Sequence, residues 1–208
     1  MAKLFSALKI KDIVFKNRIF VSPMCQYSCE NGIPNSWHLV HLGTRAVGGA
    51  GLVIAEATAV SPEGRISPGD CGIWSDEQTE AFKSITTFIK DQGAIPGIQI
   101  GHAGRKASTD LPWQGGLPLP DADGGWQPIA PSPVAFDPSH TVPREMTEAD
   151  MDRVVAEFTR AAQRCLSAGF KVLELHMAHG YLLHQFLSPI SNLRKDRWGG
   201  TFDNRLSF

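Results

Sequence analysis

The 208-residue chain has no long hydrophobic run, no excess charge of either sign and few cysteines. Twenty Lys plus Arg stand against 21 Asp plus Glu, so there is no broad field for a nucleic-acid backbone or an anionic membrane surface. The uncharged stretch from Gly124 to Phe136 is 13 residues long and interrupted by three prolines, well short of the ~20 apolar residues a membrane span needs. Met1 leads into Lys3 with no apolar segment behind it, which argues against a secretory signal and for a cytoplasmic chain. Cys25, Cys29, Cys71 and Cys165 are too sparse for a disulfide scaffold and are expected to be free thiols. No strand-to-helix turn carries G-x-G-x-x-G or G-x-x-x-x-G-K-[ST], so an open nucleotide-binding sheet lacks its phosphate turn. A small molecule is the expected partner.

What is present is an alternation of short β-branched runs with helical patterns, the mark of βα units around a parallel sheet. Leu8 to Asn17 reads as a short hairpin that would cover one end of the sheet. Four strands are expected, at Ile19–Met24, Leu52–Ala57, Ile95–Ile100 and Val172–Met177. The helix after the first runs from about Ser36 to Val47 and stops at Gly48-Gly49. The helix after the second opens on a capping box, Ser75 with Gln78. Its apolar face is Phe82, Ile85, Phe88 and Ile89, and Gly93 ends it. Residues 101–146 carry eight prolines and no period. They read as a long loop insert, packed through Trp113, Trp126 and Phe136. Thr147 and Asp150 then open a helix with a stripe of Met151, Val154, Val155, Phe158, Ala162, Cys165 and Leu166, ended by Gly169.

Such units wind into either an open sheet or a closed barrel. In a barrel, the strand C-termini converge on one site, and there the sequence is chemically rich. His176, His179 and Tyr181 fall within six residues at the end of the fourth strand. Two imidazoles can donate hydrogen bonds to a carbonyl or nitro oxygen and stabilise developing negative charge. A phenol beside them can supply a proton. Loop histidines held by backbone contacts are the plainer alternative. Zinc is disfavoured, because H-x-x-H lacks the spacing and glutamate of H-E-x-x-H and the cysteines form no C-x-x-C pair. Cys25, at the mouth of the first strand, is either a thiol set against a polarizable ligand or a small buried hydrophobe.

The segments S-P-M-C-Q-Y, E-A-T-A-V with S-P-E-G-R-I, G-I-Q-I-G-H-A-G-R-K-A, and E-L-H-M-A-H-G-Y-L-L-H-Q-F-L-S-P with S-N-L-R-K-D-R-W-G-G-T-F-D-N-R follow the four strands in order. Together they resemble the Old Yellow Enzyme family of flavin-dependent ene-reductases, and Cys25 with the Trp-containing insert is similar to its xenobiotic-reductase and enoate-reductase branch. The resemblance implies an α/β fold, a (β/α)8 TIM barrel, of which residues 1–208 hold the N-terminal hairpin and the first four βα units of one FMN-binding domain. It implies that Pro23, Met24, Ala57 and Gln99 contact FMN and that Cys25 tunes it from the substrate side. His176 and His179 would bind the activating oxygen of the substrate, Tyr181 would donate the proton, and Tyr27 would line the substrate pocket. NADPH or NADH would reduce the flavin, which would then reduce an activated C=C bond of an enone or enal, or a nitro compound or quinone. The family's FMN-phosphate anchor and a strand-five arginine would lie beyond Phe208. Unpaired edges on the first and fourth strands imply a homo-oligomer or a complementing C-terminal half-barrel. A non-catalytic half-barrel assembly module is the alternative.

Overall fold

The computed structural model describes residues 2–208. Strands β1 (Leu8–Ile10) and β2 (Ile13–Phe15) form the expected hairpin. The parallel sheet consists of β3 (Phe20–Val21), β4 (Leu52–Ala59), β5 (Ile95–Gly101) and β8 (Val172–Leu175), in the order β3-β4-β5-β8. Spatial order follows chain order, as winding into a barrel requires, and β3 and β8 are left as edges. Helices α1 (Ser36–Val47), α2 (Asp76–Asp91) and α3 (Glu148–Ser167) cover one face. The excursion 101–146 contributes only 3-10 turns and a minimal parallel pair, β6 (Ile129–Ala130) with β7 (Arg144–Glu145). Helices α4 (Leu182–Leu187) and α5 (Phe202–Arg205) close the described chain.

The helices start where backbone donors are captured. Ser75 and Gln78 make the reciprocal capping box of α2, and Thr147 and Asp150 make that of α3. The α1 box, Asn35 with His38 at the third position, departs from the Ser/Thr and Glu/Gln pattern and is invisible to a search for it. Outward residues Val53, Ala55, Ile98 and Ile100 pack with Leu42, Ala46, Phe82, Ile85 and Ile89 of the helices. Removing the fully buried Phe82 ring would cost about 3–5 kcal/mol. On the other face Leu52, Ile54 and Val172 meet Phe15, Leu8 and Ile13, so the hairpin plugs the N-terminal end of the sheet and leaves the C-terminal end open.

Several expectations need correction. The first strand pairs only over Phe20–Val21, because Pro23 cannot donate to the ladder. The fourth ends at Leu175, which puts His176 just past it, and the second runs on to Ala59. Val155 and Leu166 of the α3 stripe are exposed, as is Phe88 at the margin of α2. Trp113 is 65% exposed and does not pack the insert down. Trp126 does, donating its indole N–H to the Glu63 carbonyl at 2.9 Å.

Candidate active site

Strand parity sets the site. Along β5 and β8, Gln99, Glu174 and His176 share the inward face, while Ile98, Ile100 and Leu173 point elsewhere. In β4 the register slips by one, so that Ala55 pairs with Ile98 but Ala57 with Gln99. This bulge turns Ala57 inward and squeezes Glu56 out of the ladder. Buried Glu56 accepts the Gln26 N–H at 2.8 Å through Oε2 and faces His38 Nε2 at 3.3 Å through Oε1. It therefore ties the β3–α1 loop, which carries Pro23 to Tyr27, to the sheet.

An open cavity of about 370 Å³ lies at the C-terminal ends of the strands, lined by Ser22, Pro23, Cys25, Ile54, Ala57, Gln99, Glu174, His176, His179 and Tyr181. Seven of the nine expected site residues meet there. Met24 does not line it and is exposed; Tyr27 lines an adjoining cavity with Lys106, Ile66 and Phe136. Ser22, Ile54 and Glu174 are additions. Glu174 could have been found from its i, i−2 relation to His176 on one strand face. Gln99 Nε2 donates to Glu174 Oε1 at 2.7 Å, which fixes the amide orientation.

The β8–α4 loop is built to present its three polar rings. The His176 ring lies 5.1 Å from His179 and 4.8 Å from Tyr181, edge-on to both. Gly101 faces His176 so closely that a Cβ there would approach the His176 Cβ to 3.2 Å. Gln185 donates to the Gly180 carbonyl at 2.7 Å and to Ala103 O at 3.1 Å, clamping the loop against the exit of β5. Lys106 Nζ donates to His179 O at 3.2 Å and lies 5.0 Å from the centre of the Tyr181 ring. His179 and Tyr27 both hold left-handed backbone, at φ 55° and 50°, a strained state that clusters at functional sites.

Electrostatics assigns protonation states. Burial, reinforced by the charge of His179, lowers the His176 pKa, favouring neutral imidazole. Its Nδ1 accepts the Ala178 N–H at 3.4 Å, which puts the ring proton on Nε2. Burial, then the Cys25 and Asp70 charges, pushes Tyr181 up to about 12. Burial, then Asp70 and Glu56, pushes Cys25 up to about 12, so it is a thiol at neutral pH. Tyr27 is raised by burial and by Cys25. A pocket of about 20 Å³ that shares Ala57, His176 and Tyr181 with the open cavity brings Asp70 and His102 to them. Asp70, held by the N–H groups of Ile66 and Ser67, is raised by burial to about 6. Burial lowers His102 to about 4. No titratable pattern in the sequence points to Asp70, whose role depends on the 61–72 loop; Glu56 stands out only as a polar residue near the end of its strand, and the bulge takes it out of the cavity. A separate buried group, Cys29, His38 and Cys71, gathers donor atoms within 4.8 Å of one another, away from the histidines of the cavity.

Known proteins with similar sequence or fold identify the family. Residues 3–208 match the family model described as NADH:flavin oxidoreductase / NADH oxidase. An NADPH dehydrogenase of Listeria welshimeri is 50% identical over 207 residues, covering 99% of this chain and 57% of the relative. An NADH:flavin oxidoreductase of Gibberella zeae is 47% identical, covering 98% and 50%. The Old Yellow Enzyme homologue from Zymomonas mobilis superposes with a TM-score of 0.85 at 31% identity, covering 98% of this chain and 56% of that one. Morphinone reductase in complex with tetrahydroNAD gives 0.84 at 30%, covering 99% and 57%. The chain thus spans about half the length of the relatives it matches, and its sheet is part of a (β/α) barrel. From the family model, the sequence relatives and the superposed barrels together, the chain belongs to the NADH:flavin oxidoreductase / NADH oxidase family, the FMN oxidoreductases of Old Yellow Enzyme type.

Proposed function

We propose that this chain supplies the flavin face and proton donor of an FMN-dependent NAD(P)H oxidoreductase that reduces activated C=C bonds. The observation that carries this reading is the convergence of His176, His179, Tyr181, Cys25 and Gln99 on one cavity. The cavity suits the flavin ring: Pro23, Ile54 and Ala57 give it a low apolar wall, and Gln99, whose amide nitrogen is taken by Glu174, offers a carbonyl oxygen to a ring N–H. When bound, FMN would accept hydride from the nicotinamide and pass it to the substrate. The chain's own residues do the rest. Neutral His176, with its proton on Nε2, and His179 hold the carbonyl or nitro oxygen of the substrate, polarising the alkene. Tyr181 keeps its proton at every working pH and yields it only to a carbanion-like centre. Cys25, as a thiol, lines the same cavity.

The functional unit is completed by further structure on the two sheet edges. Leu173 and Leu175 on β8, Leu166 on α3, Phe20 on β3 and Ile19 just before it expose large apolar side chains, more than two open strand edges tolerate alone. A second copy or a complementing half-barrel would cover them. The test is gel filtration of the chain after incubation with FMN. Flavin absorbance should co-elute with an assembly of two chains or more, bleach with NADPH and recover with 2-cyclohexenone. Flavin that binds but does not recover with the enone would leave an FMN-binding module without the reductase.

A further inference from the structure

We infer that Cys29 and Cys71 form a thiol–disulfide couple, distinct from the flavin cavity, whose oxidant is a hydroperoxide. Their sulfurs lie 2.7 Å apart. Atoms of this size in ordinary contact rest at roughly 3.5–4.0 Å, and a disulfide bond is about 2.05 Å long. The backbone already holds both residues in place. Cys29 N–H donates to Gly69 O at 2.9 Å, Gly72 N–H to Gly32 O at 2.9 Å, and Ala59 N–H to Cys71 O at 2.8 Å. Segments 29–32 and 69–72 therefore lie side by side, and the bond can close without a backbone rearrangement.

The two thiols are unequal. The Cys71 hydrogen bond lowers Cys29, and His38 adds to this against the cost of burial; burial and the neighbouring Cys29 raise Cys71. Cys29 is thus the nucleophile, and Cys71 keeps its proton until it is attacked or attacks. Cys29 is 6% exposed and Cys71 0%, so the oxidant has to be small and meets Cys29 first. The Cys29 thiolate attacks one peroxide oxygen: the S–O bond forms, the O–O bond breaks, and the departing alkoxide or hydroxide takes up the proton Cys29 has shed. The Cys71 sulfur then attacks the Cys29 sulfenic acid: the S–S bond forms, the S–O bond breaks, and water leaves with the Cys71 proton. Two thiols lose two electrons, and one hydroperoxide becomes an alcohol, or water, plus water.

The same atoms fit a metal poorly. The Asn35 N–H donates to His38 Nδ1 at 3.0 Å, so the ring proton sits on Nε2, the nitrogen that faces Cys29 at 3.4 Å and Glu56 at 3.3 Å. A ligating imidazole needs its lone pair there and its proton on the other nitrogen. Two thiolates on tetrahedral zinc at ~2.3 Å would also stand about 3.8 Å apart.

The experiment treats the purified full chain with hydrogen peroxide, quenches it in acid, alkylates the remaining thiols in denaturant and maps them by mass spectrometry. Free thiols should fall from four to two, with a Cys29–Cys71 peptide that dithiothreitol reverses. Formation should be at least about tenfold slower in 8 M urea, because native proximity supplies the effective concentration. Cys165, buried and unpaired, serves as the internal reference in the same sample and should stay reduced. In Cys71→Ser, dimedone should trap a sulfenic acid at Cys29. Four thiols persisting in excess peroxide, a bond to Cys25 or Cys165 instead, equal rates in buffer and urea, or stoichiometric zinc in the untreated protein would each overturn the couple.

Discussion

Asp70 and His102, two buried groups of the small pocket that adjoins the candidate active site, should have opposed and nearly cancelling effects on stability. Asp70 is 3% exposed and raised from 3.8 to about 6, so the fold prefers its protonated form. Its contribution is complete below about pH 4 and is lost as pH rises through 6. A shift of this size is worth about 3 kcal/mol. His102 is also 3% exposed and lowered from 6.5 to about 4, so the fold prefers its neutral form. Its contribution is complete above pH 6.5 and is lost as pH falls towards 4, again by about 3 kcal/mol. In the intact chain one loss offsets the other across the same window. Asp70→Asn removes one side of the balance. Relative to wild type, the variant should gain about 3 kcal/mol between pH 4 and pH 7, a midpoint shift of roughly 1.5 M urea. Taking the difference removes the acid sensitivity that other carboxylates share. His102→Asn, whose Oδ1 can still accept the Gly104 N–H that now reaches Nδ1 at 3.0 Å, should show a difference of opposite slope. Urea titrations at half-unit pH steps read both. A flat difference curve, or two variants sloping the same way, would refute the assignment of charge to this pocket.

Tyr181→Phe keeps the ring against His176 and Lys106, so in an assembled enzyme flavin reduction by NADPH should be unchanged while reoxidation by enone slows ~10²–10⁴-fold; stopped-flow absorbance separates the two. With Tyr181 at about 12, that reoxidation rate should show no alkaline limb from it below pH 9. Gln99→Ala should weaken FMN binding about 2- to 10-fold, the value of one net hydrogen bond, as read by flavin fluorescence quenching. Thr147→Ala, which deletes the hydroxyl that accepts the Asp150 N–H at 3.1 Å, should cost about 1 kcal/mol in urea.

The sequence made the βα alternation and all three long-helix starts legible, and two of the three capping boxes, because strand period and Ser/Thr capping are local chemistry. It also made His176, His179 and Tyr181 legible, because three reactive groups at a strand end need no tertiary information to be noticed. Trp113 and Tyr27 were harder. Aromatic content says that a ring wants burial, while the packing of the insert decides whether it is buried, and Tyr27, on left-handed backbone, lines the adjoining cavity while its phenol hydrogen-bonds Cys25. Glu174, Asp70 and Glu56 matter through partners 75, 4 and 30 residues away. The Cys29–Cys71 approach spans 42 residues and two loops, and no spacing rule reads it.

The slip in β4 separates two things a strand ordinarily couples, the length of the chain and the face each residue occupies. Were Glu56 to sit in the ladder opposite Gln99, a carboxylate would enter the candidate cavity and Ala57 would turn to the helices. With Glu56 extruded, deletion of that one residue would leave Ala55, Ala57 and Thr58 on the faces they now occupy. Deletion and an apolar replacement would alike leave the Gln26 N–H and His38 without their acceptor, and only the deletion would also make the β4 ladder regular. In either case the damage belongs to the loop that carries Cys25. Position 56 is thus where a residue the barrel wall does not use couples that wall to the loop carrying Cys25.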